Sequence, residues 1–101
     1  DEGEEPAVCA ERELREETGF RPRRLESFGG FFLSPGYSNE YIHLFLATNL
    51  EDSPLEAAEE ERLTALRLPL AEALRMIERG EIQDAKSIAA LLLLARRRGV
   101  S

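Results

Sequence analysis

Residues 11–20, which read ERELREETGF, place four glutamates within seven consecutive positions. Like charges three or four residues apart on a helix repel one another. A helix with this sequence therefore cannot bury its acidic face without a compensating partner. A divalent cation is the partner that such crowding of carboxylates most directly suggests.

The acidic segment is predicted to lie in a helix over residues 6–18. Pro6 suits the first turn of a helix, and Gly19 suits the left-handed position that follows a helix end. Because an α-helix advances about 100° per residue, residues 12–17 present several of their carboxylates in one sector. The alternative interpretation is a charged face that contacts only solvent.

Within this sector, Glu13 and Glu17 lie about 40° apart, and Glu16 lies about 60° to the other side of Glu13. Arg12 precedes Glu16 by one turn and is placed to pair with it. Carboxylate oxygens suit hard cations such as Mg²⁺, which retain several waters and bind phosphate groups. The pattern therefore favours a metal site on this helix.

The rest of the chain alternates apolar runs with turn sequences. The run YIHLFLA is apolar at nearly every position, which predicts a strand covered on both faces, with His43 as a packed core residue. The predicted elements after the first helix are two strands, a weaker third strand and two helices, over residues 24–33, 41–48, 62–68, 69–80 and 84–98.

The length of 101 residues limits the chain to one domain, and its net charge of −7 excludes the basic face that nonspecific nucleic-acid binding needs. Residues 1–20 hold eight of the 20 acids and only two of the 13 bases. No apolar run is long enough to span a membrane, a single cysteine excludes an internal disulfide, and the first residues lack a signal-peptide pattern. We therefore expect a cytoplasmic protein with no membrane and no nucleic-acid partner.

Glu4, a spacer of seven residues and the run REL-R-EE-T-GF over residues 12–20 resemble the Nudix box, G-x5-E-x7-R-E-U-x-E-E-x-G-U with U apolar. Every box position from Glu4 onward is filled. Pro35 lies sixteen residues after Gly19, a spacing that resembles the marker of the ADP-ribose pyrophosphatase branch. The run RGEIQDAKSIAALLL is similar to the C-terminal helix of that branch.

The resemblance implies an α/β fold in which a mixed sheet lies between helices. Residues 1–101 are expected to be the C-terminal portion of one such domain, with the box glycine and several strands upstream of Asp1. The implied reaction is the Mg²⁺- or Mn²⁺-dependent hydrolysis of a nucleoside diphosphate linked to another moiety. For ADP-ribose the products are AMP and ribose 5-phosphate, and the complete enzyme is expected to be a homodimer.

The resemblance also implies roles for individual residues. In this branch a glutamate from the loop before the final strand is thought to accept the proton of the attacking water, and the run EEERL at residues 59–63 matches that loop. The implied metal ligands are Glu13, Glu16 and Glu17, the implied catalytic residues are Arg12, Glu16, Glu59 and Glu61, and the implied substrate-binding residues are Glu40 and Tyr37.

Three other functions remain open at this point. One is a noncatalytic Nudix-like nucleotide-binding module, although intact box carboxylates argue against lost turnover. The second is hydrolysis of a different nucleotide sugar. The third is an acidic structural or interaction domain, which predicts that neither Mg²⁺ nor Mn²⁺ binds.

Overall fold

The computed structural model describes residues 3–33, 40–53 and 67–101. The chain divides into two compact units, Asp1–Ala65 and Leu66–Ser101. The described helices all fall short of the length and apolarity that a bilayer-spanning helix requires.

The first unit begins with helix α1, Pro6–Thr18, as predicted. Glu5 is extended and Pro6 occupies the first turn, where its missing N–H removes no helical hydrogen bond. Gly19 ends the helix with φ of 76°, and its N–H donates to the Arg15 carbonyl at 2.8 Å. The helix boundaries therefore follow from local sequence signals.

A β-hairpin follows α1 directly, made of strand β1, Phe20–Phe32, and strand β2, Tyr41–Asp52. The two strands pair antiparallel over their whole length, and α1 packs against both of them. The predicted strands are confirmed, but each extends four residues further at the end remote from the turn. Backbone pairing across the hairpin accounts for the extension, because it stabilises residues 20–23 and 49–52 that carry weak strand signals themselves.

A β-bulge interrupts this pairing between Ser27 and Gly30, where β1 holds one more residue than the facing part of β2. Gly29 lies in the bulge with φ of 95°, a conformation that side-chain-bearing residues rarely adopt. Phe28 and Leu44, each only 9% exposed, are buried apolar residues of this unit. The bulge thus lies beside the small core of the hairpin.

The face of β2 that carries His43 is more open than the sequence predicts. Among the described residues of β2 only Leu44 is buried, whereas Tyr41 and His43 are exposed. The predictions of a strand covered on both faces and of a packed His43 are therefore wrong. Side chains alternate along a strand, so the face opposite Leu44 stays exposed wherever no other element covers it.

Gly30 faces this open side, and we expect Gly30→Ala to destabilise the protein by about 1–3 kcal/mol, as overpacking does. An added Cβ would lie 2.3 Å from the Ile42 carbonyl oxygen, a backbone atom that no rotamer change can move. Urea titration measures the effect. Ser27→Ala, at an exposed position of the same strand, is the control. Equal stability of the two variants would show that the two strands move apart around the added Cβ with no loss in the free energy of unfolding.

The second unit is a helix pair, α2, Leu70–Glu78, and α3, Ala85–Arg98, which pack against each other. The Asp84 carboxylate accepts a hydrogen bond of 2.9 Å from the Ser87 N–H, which confirms the predicted cap of α3. Ala73, Leu74 and Ala95 are buried. The predicted third strand, residues 62–68, falls almost wholly outside the described residues.

Candidate metal and substrate site

The box carboxylates lie on α1 and differ in exposure. Glu13 and Glu17 are exposed, and Glu16 is half-buried. The helix joins the hairpin through two hydrogen bonds to the Ser53 backbone: the Arg15 side-chain Nε donates to the Ser53 carbonyl at 2.9 Å, and the Ser53 N–H donates to the Gly19 carbonyl at 2.8 Å. These contacts hold the carboxylate-bearing helix against the end of β2.

Arg12 lies between two carboxylates and binds both. Its Nε and Nη2 atoms donate to the two Glu4 oxygens at 3.1 and 2.9 Å, and its Nη1 donates to Glu16 Oε1 at 2.5 Å. The predicted Arg12–Glu16 pairing is thus confirmed. Because the guanidinium plane matches a carboxylate bidentately, the pair Arg12–Glu4 ties the segment before α1 to the middle of the helix.

The guanidinium also shifts the pKa of the Glu4 carboxyl. Its hydrogen bonds to Glu4 lower the pKa of that carboxyl from 4.5 to about 2. The same bonds, with those to Glu16, raise the pKa of Arg12. Both Arg12 and Glu4 therefore stay charged throughout the neutral range.

We expect this pair to make stability depend on pH in the acidic range. A carboxyl with a lowered folded-state pKa stabilises the fold above its unfolded pKa, near 4.5, and the contribution disappears as pH falls toward 2. The melting temperature of Glu4→Gln should therefore lie furthest below that of the unmodified protein above pH 5. The two should converge as pH falls from 4.5 toward 2, and a constant difference would contradict this role of the pair.

An open cavity of about 490 Å³ lies between the N-terminal half of α1 and the start of β2. Glu4 and Glu13 line it from the helix side, and Glu40, Tyr41 and His43 line it from the strand side. The structure thus brings together Glu13, a predicted metal ligand, and Glu40, a predicted substrate-binding residue. Glu16 and Glu17 are not among the residues that line this cavity.

Cys9 also lines the cavity, one helical turn before Glu13. Its thiol donates to Glu13 Oε1 at 3.3 Å, and Arg12 Nη2 donates to the sulfur at 3.6 Å. The thiol is half-buried. It orients the Glu13 carboxylate toward the cavity side of the helix.

Three aromatic rings of the hairpin form a row, and two of them, Tyr41 and His43, line the cavity. The ring centroids of Phe32 and Tyr41 lie 5.0 Å apart and those of Tyr41 and His43 lie 4.9 Å apart, both edge to face. Sequence reasoning assigned no role to Tyr41 and expected His43 in the core. Their alternation with Ile42 and Leu44 was the available signal, because residues i and i+2 of a strand share a face.

Three predicted site residues, Tyr37, Glu59 and Glu61, lie outside the described residues. Their roles remain predictions. Glu40 is exposed, and its carbonyl accepts a hydrogen bond of 3.2 Å from the Leu33 N–H at the end of the hairpin. This bond holds the Glu40 backbone at the rim of the cavity.

The donor set suits a cation that keeps most of its waters. No group of three or more His, Cys, Asp or Glu side chains in the described ranges is arranged closely enough to enclose a metal ion. The Glu4 and Glu16 carboxylates are both engaged by the Arg12 guanidinium. Glu13 and Glu17 remain as exposed hard oxygen donors, and Mg²⁺ is commonly held by one or two carboxylates together with waters and substrate phosphates.

Known proteins are similar to this chain over most of its length. An ADP-ribose pyrophosphatase of Bacillus subtilis is 38% identical over 96 residues, which are 93% of this chain and 52% of the relative. A methanol dehydrogenase activator of Bacillus methanolicus shows the same identity and coverage. A GDP-mannose pyrophosphatase of Escherichia coli K12 is 36% identical over 93 residues, 89% of this chain and 49% of the relative.

A solved structure is similar to this chain in its fold. The crystal structure of an ADP compounds hydrolase matches 100% of this chain and 56% of its own, with a TM-score of 0.81 and 30% sequence identity. The predicted α/β fold of the Nudix type is thereby confirmed. The chain spans about half the length of the relatives it matches. The NUDIX domain pattern covers residues 1–91, and the chain therefore belongs to the NUDIX family.

Proposed function

We propose that the whole protein hydrolyses the diphosphate bond of a nucleoside diphosphate linked to another moiety. ADP-ribose is the proposed preferred substrate, and AMP and ribose 5-phosphate are the products. The observation that carries this proposal is the placement of Glu13, bound by Cys9 and flanked by Arg12, on a cavity that also contains Glu40. One cavity is thus lined by the carboxylate proposed for a phosphate-bound cation and by the carboxylate proposed for substrate hydroxyls.

The proposed cofactor is Mg²⁺ or Mn²⁺, held by Glu13, Glu17 and, directly or through water, Glu16. When bound, such a cation neutralises the diphosphate charge and makes a water more acidic. Arg12 holds Glu16 in one orientation through its Nη1 contact, so that this carboxylate keeps its position. Arg12 thus acts as a positioning residue, and its bond to Glu4 fixes the guanidinium in turn.

Attack on phosphorus also needs a proton acceptor. We assign this role to Glu59 or Glu61, whose carboxylate takes a proton from the attacking water as the bond between phosphorus and the bridging oxygen breaks. Glu40 and Tyr37 are assigned to the substrate. Glu40 lines the cavity and accepts hydrogen bonds only, which suits sugar hydroxyls.

A second candidate substrate is another nucleotide sugar. It is favoured by the 36% identity to the GDP-mannose pyrophosphatase, which is close to the 38% identity to the ADP-ribose pyrophosphatase. A noncatalytic binding module would instead bind these compounds without turning them over.

The test is turnover by the whole protein with ADP-ribose, GDP-mannose and ADP-glucose in parallel. Release of nucleoside monophosphate is followed by chromatography, with Mg²⁺, with Mn²⁺ and with EDTA. We expect ADP-ribose to have the highest kcat/KM and EDTA to abolish turnover. Binding without turnover would identify a noncatalytic module, and the absence of both would overturn the proposal.

We further propose that the active form of the whole protein is a homodimer and that it is located in the cytoplasm. The test uses the whole protein because the relatives that this chain matches are about twice as long as the chain. Light scattering measures the oligomeric state, and cell fractionation measures the location. A monomer with full activity would overturn the dimer.

A further inference from the structure

The row formed by Phe32, Tyr41 and His43, called the aromatic row below, has no part in the proposed metal chemistry. Tyr41 lies directly opposite Phe32 in the hairpin, and His43 lies opposite Gly30. Cross-strand partners share a face of the sheet, so the three rings and Gly30 occupy one surface. The edge-to-face contacts of Tyr41, at 5.0 and 4.9 Å, place it at the centre of the row.

Gly30 explains how the Tyr41 ring is held. A Cβ at position 30 would lie 2.6 Å from Tyr41 Cε2 and 2.9 Å from Cζ, so the ring occupies the space that a side chain there would fill. The ring is thus fixed by Phe32, His43 and the Gly30 backbone, and it is still 41% exposed. A rigid, exposed ring loses little conformational freedom when a ligand contacts it.

The aromatic row faces polar groups across a cavity of suitable size. Tyr41 and His43 line the 490 Å³ cavity together with Glu13 and Glu40, and small-molecule sites measure about 300–1,000 Å³. Apolar ring surface beside a few convergent polar groups is the usual composition of such sites. A ligand in this cavity would meet ring surface and carboxylates at once.

We propose that the aromatic row binds the sugar attached to the diphosphate and so determines which nucleoside diphosphate compounds are hydrolysed. This inference rests on the proposed function. With the diphosphate near Glu13, a neighbouring sugar reaches Tyr41, and its C–H groups pack on the ring. Glu40 directly precedes Tyr41 and accepts hydrogen bonds, which matches vicinal hydroxyls, since each hydroxyl donates.

A nucleobase is the less suitable occupant. The ring nitrogens along the edge of adenine are hydrogen-bond acceptors, which an ionised carboxylate repels, and only the amino group donates, whereas a sugar offers several hydroxyl donors to the same oxygen atoms. The two occupants therefore predict different losses when the ring is removed. Ribose 5-phosphate represents the sugar half of ADP-ribose, and AMP represents the base half.

The experiment measures equilibrium binding of ribose 5-phosphate and of AMP to the whole protein by calorimetry. We expect Tyr41→Ala to weaken ribose 5-phosphate binding by about tenfold, a typical loss for an aromatic contact, and to leave AMP binding within about twofold. Tyr41→Phe, which keeps the ring, should bind both compounds normally. Leu50→Ala, at an exposed position on the same strand outside the cavity, is the matched control.

Each other outcome overturns the inference. Loss of AMP binding alone would assign the row to the base, and unchanged binding of both compounds, or no ribose 5-phosphate binding by the unmodified protein, would remove the row from the site. If Tyr41→Ala does not fold, His43→Ala provides the same comparison. A turnover assay of the unmodified protein tests the proposed function separately. If that protein binds both compounds but does not hydrolyse ADP-ribose, the result contradicts the proposed hydrolase activity and leaves the binding comparison intact.

Discussion

The Glu17→Gln variant is expected to lose roughly two orders of magnitude or more in kcat while keeping its fold. The substitution preserves size and hydrogen bonding but removes one charge from the proposed metal site, where charge stabilisation is worth several kcal/mol. Glu17 is exposed on α1, and no ion pair or hydrogen bond joins its carboxylate to another described residue. Its replacement should therefore leave the melting temperature almost unchanged.

Two measurements separate a metal role from a structural one. Turnover at increasing Mg²⁺ concentration should show that Glu17→Gln needs more metal, and thermal melting should show an intact protein. Glu11→Gln is the matched control, because Glu11 lies on the same helix and pairs with Arg21 at 3.7 Å, away from the predicted ligands. Near-normal turnover of Glu17→Gln, or an equal loss in Glu11→Gln, would remove Glu17 from the metal site.

The second large effect is expected in the loop glutamates, replaced singly by glutamine. We expect Glu59→Gln or Glu61→Gln to lower kcat by about 100-fold or more, the range for a lost general base. The predicted extended register places Glu60 on the side opposite Glu59 and Glu61, because side chains alternate along an extended segment, so Glu60→Gln should remain near normal. All three positions lie outside the described residues, so the register rests on the sequence.

The pH dependence of kcat adds a readout that a structural role would not move. The variant that lacks the base should lose the acidic limb of its profile, since that limb reports protonation of the base in the enzyme–substrate complex. The neighbouring variants keep the limb and serve as controls. Three equally mild effects with unchanged profiles would identify the loop as solvent-exposed surface.

The secondary structure that could be predicted from the sequence is the part that depends on neighbouring residues. Pro6 and Gly19 bound α1, and Asp84 caps α3, through contacts that span at most four residues. The strand ends could not be predicted in the same way. Residues 20–23 join β1 because residues 49–52 pair with them, and that pairing is not a local property.

Part of the candidate site could likewise be predicted from residues that are close in sequence. The order of the box residues and the 3.6-residue helical repeat were enough to predict that Glu13, Glu16 and Glu17 share a sector of α1 and that Arg12 reaches Glu16. Those residues are close in sequence, so the helix alone determines their spacing. The lowered pKa of Glu4 follows from its contact with Arg12, eight residues later in the chain.

Only the tertiary structure placed Glu40, Tyr41 and His43 across the cavity from Glu13, because nearly thirty residues separate the two sides in sequence. The bulge after Ser27 shifts the pairing by one residue and so puts His43 opposite Gly30. That register depends on hydrogen bonds between the two strands and on the absence of a side chain at Gly30, where the Tyr41 ring lies. Apolar residue types alone predicted a buried strand, whereas the packing of α1 left this face of β2 open to solvent.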